Sequence, residues 1–254
     1  MSNSDKLLNS IFPIALTSKH DVEYVKNFNG TAFLVNYSGF SFVITAYHCV
    51  SSVVKSIFNV SDECITEEMM ETVIKDNINF GYIKSNKQIY RIPISNIFRG
   101  ISSIGNNIDI IICKVNETDM IKNNNTSLSD LKVLEISNKC LVEGNCYKFY
   151  GFPNVKRDDE NKKIYLDNRK LKLTRLEQKK DYGNAVYGYL DITNTKDTLN
   201  TIEGFSGSPL FDDTNKVVGV LEEINTEKGY IRFIALDTVI YFMTNIIKNN
   251  FHIF

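Results

Sequence analysis

The chain has 254 residues, enough for one large domain or two small ones, and its 43% hydrophobic content supports a packed core. Twenty-nine basic against thirty acidic side chains leave a formal net charge of −1, so no global field attracts nucleic acid or an anionic membrane. The opening MSNSDKLLNSIFPIAL has no basic n-region, long apolar run or small-residue cleavage site, and no stretch approaches the ~20 apolar residues of a membrane span, so neither secretion nor insertion is expected.

Strand signals dominate along the chain: short runs rich in Val, Ile, Phe and Tyr, punctuated by Gly, Asn, Asp and Ser. Residues 31–36 and 41–45 are the first, the second running through a small-residue turn to His48. Residues 66–76 read instead as a helix inserted between strands, with Glu67, Glu68 and Glu71 early and Lys75 late, as the helix dipole favours. Strands resume at 88–94 and 108–115, and the Asn-rich 116–130, with NNNTSLSD at its centre, reads as a surface connection between two compact halves, 1–120 and 121–254.

In the second half, 146–151, 185–192, 216–221 and 230–235 read as strands, and RDDENKK within 154–163 as an exposed hairpin tip or loop of solvated charge. Residues 209–220 form a hairpin pattern with apolar arms and a polar turn at 212–215. From Asp237, a candidate N-cap, Val239, Ile240, Met243, Ile246 and Ile247 recur at helical spacing, predicting a C-terminal helix packed on the body. Many short strands with turn punctuation predict an all-β barrel or sandwich. The five cysteines, Cys49, Cys64, Cys113, Cys140 and Cys146, are odd in number and lack paired close spacings, so neither a zinc site nor a disulfide frame is expected and a reducing cytoplasm is the simplest home.

Three local patterns carry candidate chemistry. FVITAYHCV at 42–50 runs an apolar strand into one histidine, NIDIIIC at 107–113 embeds a lone acid in β-branched residues, and EGFSGSPL at 203–210 sets a serine between glycines ahead of the hairpin. Each has an ordinary structural reading: a satisfied histidine, an aspartate bonded to backbone or Thr, a tight glycine turn. Together they supply what serine-based amide hydrolysis requires: a nucleophile in Ser206, a base in His48 and an acid in Asp109 to hold the base in the right tautomer. Asp109 follows His48 by 61 residues and Ser206 follows Asp109 by 97, in the chain order His, Asp, Ser.

TAYHCV resembles the T-A-x-H-C motif, NNIDIIICKV the aspartate strand and GFSGSPLF the G-x-S-G-[GS]-P motif of the trypsin-like, chymotrypsin-fold serine peptidases; GTAFLV at 30–35 and YGFP at 150–153 are similar to bacterial members. The resemblance covers about residues 28 to 247. It implies two six-stranded antiparallel β-barrels with a C-terminal helix, His48 and Asp109 coming from the first barrel and Ser206 from the second. It also implies an oxyanion hole from the amides of Gly204 and Ser206, a protein or peptide substrate, and no cofactor or metal. By the same resemblance the residue six before the nucleophile, Asn200, lies at the base of the specificity pocket. Glu222 and Glu223 line it, either favouring a basic residue or standing as solvated charge.

The chain departs from the family pattern in two places. Phe205 stands where zymogen-type members carry an aspartate that pairs with a freed N-terminal ammonium, and no cysteine precedes Cys49 to form the disulfide usual there. No PDZ-like segment accompanies the resemblance. These features predict a reduced Cys49 and control by a partner or ligand, as in effectors of bacterial stress or antiviral defence. The α/β-hydrolase pattern fails, because Ser208 occupies its last glycine position and only His252 follows the serine. The remaining alternative is a silent trypsin-like fold used as a binding or scaffold module.

Overall fold

A computed structural model describes residues 10–16, 27–83, 89–101, 107–119, 133–152, 157–158, 163–164, 166–179, 185–193 and 204–248. The first half builds one antiparallel sheet from β1 (Ile11–Leu16), β2 (Asn27–Tyr37), β3 (Phe40–Thr45), β4 (Ile78–Ile83), β5 (Ile89–Arg91), β6 (Ile94–Ile101) and β7 (Asn107–Val115), in the order β5-β4-β1-β2-β3-β7-β6. Where six closed strands are expected, this sheet has seven, and among the described residues its two edge strands do not pair. The second half is a closed six-stranded barrel, β11-β12-β15-β14-β13-β8, made from β8 (Cys146–Gly151), β11 (Asp167–Lys179), β12 (Ala185–Asp191), β13 (Pro209–Phe211), β14 (Val217–Asn225) and β15 (Tyr230–Ala235). In the chain between β8 and β11, β9 (Arg157–Asp158) and β10 (Lys163–Ile164) pair antiparallel at the RDDENKK run, expected as a hairpin tip or loop.

Among the described residues three α-helices are ten residues or longer. The inserted α2 (Glu67–Asp76) starts at Thr66, whose hydroxyl accepts the Met69 amide at 3.2 Å, and α3 (Leu236–Lys248) is the C-terminal helix. The sequence does not announce α1 (Tyr47–Phe58), which follows β3 after the single residue Ala46 and places His48 in a helical first turn.

Strand alternation sorts the first sheet's side chains onto two buried faces. Leu34, Val43, Ile111 and Cys113 pack beneath α1 and α2 against Val50, Val54, Val73 and Ile74. Phe33, Val35, Phe42, Ile44, Ile110 and Ile112 face the second barrel and the apolar stripe of α3, Val239, Met243 and Ile246. Covered on both sides, β7 reads as a continuous apolar run, the pattern expected of a doubly buried strand. A third cluster, including Phe149, Phe205, Leu210 and Phe233, fills the closed barrel.

The residues expected to join the halves are described only in part, and 120–132 lie outside the described residues. Beyond them the chain stitches the two units together: the Leu134 amide donates to the Leu34 carbonyl at 3.0 Å, and Val217 donates to Glu135 at 2.8 Å.

Candidate active site

On β7 the two-residue period sets Asp109 on the α1 side with Ile111 and Cys113, at the strand end nearest the start of that helix. Ala46 precedes α1 as its N-cap and has no side-chain oxygen to accept the free amides, and the first turn carries no acid. Asp109 supplies that acceptor from across the sheet: Oδ1 takes the His48 backbone amide at 2.7 Å, while Oδ2 lies 2.6 Å from His48 Nδ1. One carboxylate caps the helix and orients the ring.

Burial alone would lower the His48 pKa, but the hydrogen bond that its Nδ1 gives to Asp109, helped by the Cys49 contact and the charge of Asp109, holds it above the usual histidine value of 6.5. The side chain is 49% exposed, so the ring is open to the cleft. On its other side, Nε2 lies 3.7 Å from the Cys49 sulfur, itself 3.7 Å from the Ser206 carbonyl oxygen. No hydrogen bond joins the Ser206 hydroxyl to His48 among the described residues.

The serine turn is tied to the first sheet through its backbone. Thr31 on β2 donates its amide to the Ser206 carbonyl at 2.8 Å and its hydroxyl to the Gly204 carbonyl at 2.9 Å. Both glycines of the turn are left-handed, Gly204 at φ 94° and Gly207 at φ 83°. At Gly207 a Cβ would lie 2.1 Å from the Thr31 carbonyl oxygen, so the close approach of turn and sheet requires glycine there. The amides of Gly207 and Ser208 are taken by Leu221 and Phe205, whereas those of Gly204 and Ser206 donate to no backbone carbonyl among the described residues.

Phe205 points away from the cleft. It is fully buried, with its ring edge-on to Phe149 at 5.1 Å, so position 205 offers no carboxylate to an N-terminal ammonium. Asn200 lies outside the described residues. Glu222 and Glu223 are not simply solvated charge, because Arg232 on β15 pairs with both. Arg232 is a residue the sequence reading did not select, since its importance comes from cross-strand pairing. All five cysteines are free thiols. Among the described residues no group of His, Cys, Asp and Glu is arranged to hold a metal ion.

Solved structures with similar folds include a Glu endopeptidase in complex with MPD, at 15% identity and TM-score 0.53, covering 92% of this chain and 90% of that one. A mutant of human heparin binding protein (CAP37) matches at 12% identity and TM-score 0.55, covering 94% and 92%. An inactivated protease paralogue of the scabies mite matches at 14% identity and TM-score 0.53, covering 96% of each chain. These likenesses establish the chymotrypsin-like fold. No curated protein sequence matches the chain. The family model for the trypsin-like peptidase domain matches residues 30–220, three quarters of the chain and all three candidate residues. The protein therefore belongs to the trypsin-like peptidase family and is a serine endopeptidase.

Proposed function

We propose that the chain hydrolyses peptide bonds through an acyl-enzyme on Ser206, with His48 as general base and Asp109 as its orienting acid. The observation that carries this reading is the double grip of Asp109 on His48, which holds Nδ1 on the acid and leaves Nε2 beside Cys49, whose sulfur lies 3.7 Å from the Ser206 carbonyl oxygen. His48 Nε2 takes the hydroxyl proton as Ser206 Oγ attacks the carbonyl carbon. Negative charge on the carbonyl oxygen is met by the amides of Gly204 and Ser206. As the tetrahedral intermediate collapses, His48 returns the proton to the leaving amine, and water then releases the acyl group by the same relay.

The substrate is a protein or peptide, and its backbone has a place to pair. β13 covers β14 from Val217 to Val220 and the serine turn holds Leu221, so among the described residues Glu222 to Asn225 present an edge to which an extended peptide can add as a strand. Among the described residues no helix is long and apolar enough to cross a membrane. With five free thiols, we assign the protein to a reducing cytoplasm, and neither nucleic acid nor a membrane is a partner in this reading. The unmade Ser206–His48 bond supports a protease held at low activity until a partner or ligand orders the cleft, the behaviour of a stress or defence effector in bacteria.

The alternative is a silent fold serving as a binding module. Labelling with a fluorophosphonate decides between them: covalent capture on Ser206 supports the protease, and failure to label under every condition, including added peptide, supports the module.

A further inference from the structure

Cys49 follows His48 in the first turn of α1, a buried thiol that the hydrolytic steps above do not use. Three elements close on its sulfur. From α1, His48 brings ring Nε2 to 3.7 Å, and from the serine turn the Ser206 carbonyl oxygen also lies 3.7 Å away. From β2, Gly30 covers both: at φ +133° a Cβ there would fall 2.5 Å from the sulfur and 2.9 Å from that carbonyl oxygen, so only glycine lets the strand pass this close. The Ser206 carbonyl has two lone pairs, and the Thr31 amide takes one at 2.8 Å, which leaves the second for the thiol.

The protons on these groups give the contact a direction. Nδ1 of His48 carries a proton, since the Asp109 carboxylate against it only accepts. Nε2 is therefore bare in the neutral ring and becomes an N–H in the imidazolium. The Cys49 thiol donates to the Ser206 carbonyl, so the sulfur lone pairs remain for the N–H that appears when His48 takes the serine proton. The other ionisable group facing the ring is Asp109 from β7, because residues 204–208 of the serine turn and Gly30 and Thr31 of β2 bring none. Asp109 and the Cys49 contact both act to raise the His48 pKa, as acceptors for a protonated ring do. Packing alone does not require this placement: Cys113 is as deeply buried in the same core cluster, and its thiol is pushed up by burial alone.

We propose that Cys49 is a positioning residue for His48: anchored by its own proton to the Ser206 carbonyl, its sulfur accepts from Nε2–H and steadies the imidazolium between Asp109 and the serine turn. Sulfur is a weak acceptor, so the leaving amine displaces it and takes the proton as the tetrahedral intermediate collapses. The proposal rests on the triad reading. It gives the free thiol a task that a disulfide at this position would exclude, because a bridged sulfur has no proton with which to hold the carbonyl.

The test is an NMR titration of the His48 imidazole in the full chain, alongside kcat and KM on a cleaved peptide. Cys49→Ala should lower the His48 midpoint by about half a pH unit, the size of a weak hydrogen bond made to only one protonation state. It should also lower kcat by about threefold or more with KM within about twofold, because what is lost acts on the imidazolium. Cys49→Ser keeps a donor and an acceptor and should restore most of both. Cys113→Ala removes the same atom from the same cluster and should move neither. Should Cys49→Ala fail to fold, the wild type carries the test: Nε2–H of the protonated ring, held on sulfur, should give a resolved proton resonance, whereas one open to water exchanges away. A midpoint unmoved in folded Cys49→Ala, an equal shift in Cys113→Ala, or an Nε2–H that exchanges at the solvent rate overturns the proposal. Because the titration needs no turnover, it is separable from the triad reading, which fails instead if Ser206→Ala still cleaves.

Discussion

Asp109 grips His48 by both of its carboxylate oxygens, one on the backbone amide at 2.7 Å and one on ring Nδ1 at 2.6 Å. Helix capping and ring orientation therefore share one side chain, and substitutions there act on both. Asp109→Asn keeps an acceptor for the amide but favours the wrong tautomer, so kcat should fall on the order of 10⁴-fold with little change in melting temperature. Asp109→Ala removes the cap as well and should cost about 1 kcal/mol more in stability, measured by denaturant unfolding.

The same contact sets a pH dependence. His48 must be neutral to act as base, and Asp109 holds its pKa above 6.5, so the acid limb of kcat/KM should have its midpoint above that value. In Asp109→Asn the limb should move to lower pH. For stability the sign is opposite: a raised folded pKa gives stabilisation that is full below the unfolded value near 6.5 and is lost as pH climbs through the folded value. The gap in melting temperature between the wild type and His48→Ala should therefore narrow as pH rises, and a gap that widened would contradict this assignment.

Much of this architecture was legible in the residues, and the gaps have physical causes. The strands at 146–151 and 230–235, the 209–220 hairpin and the helix at 66–76 carry patterns that survive folding because each has one dominant environment. Helix α1 was not legible, because Ala46 cannot cap it and the acceptor that does lies 61 residues further on. Strand β11 was missed since it alternates Leu171 and Leu173 with Lys170, Lys172 and Thr174, and its charged outer face masks the inner one. The motifs put His48, Asp109 and Ser206 in view, and the structure brings Asp109 onto His48, whereas the pairing of Arg232 with Glu222 and Glu223 depends on cross-strand register at the irregularity after Leu221, which no local pattern encodes.

Phe205 fills the barrel core and cannot take part in a switch that needs a carboxylate. Trimming the N-terminus at successive positions between Ser2 and Val25 should leave turnover within a few-fold of the full chain. A rise of orders of magnitude at one new terminus, reversed by acetylating it, would show a zymogen switch. Phe205→Ala should cost about 3–5 kcal/mol by emptying the core beside Phe149.

With all five cysteines free and Cys49 buried against His48 and the serine turn, no disulfide holds the fold. Melting temperature should be the same with and without reductant. A large drop under reducing conditions would contradict both the free-thiol structure and the cytoplasmic assignment.

The most direct test of the account is covalent: incubate the full-length protein with a fluorophosphonate, in the presence and absence of peptide, and locate the adduct by mass spectrometry in the wild type, Ser206→Ala and His48→Ala. The account predicts one adduct on Ser206 in the wild type, none in Ser206→Ala, and labelling slowed by orders of magnitude in His48→Ala, with peptide cleavage lost in both variants. Labelling or cleavage that persisted at the wild-type rate in Ser206→Ala would contradict it.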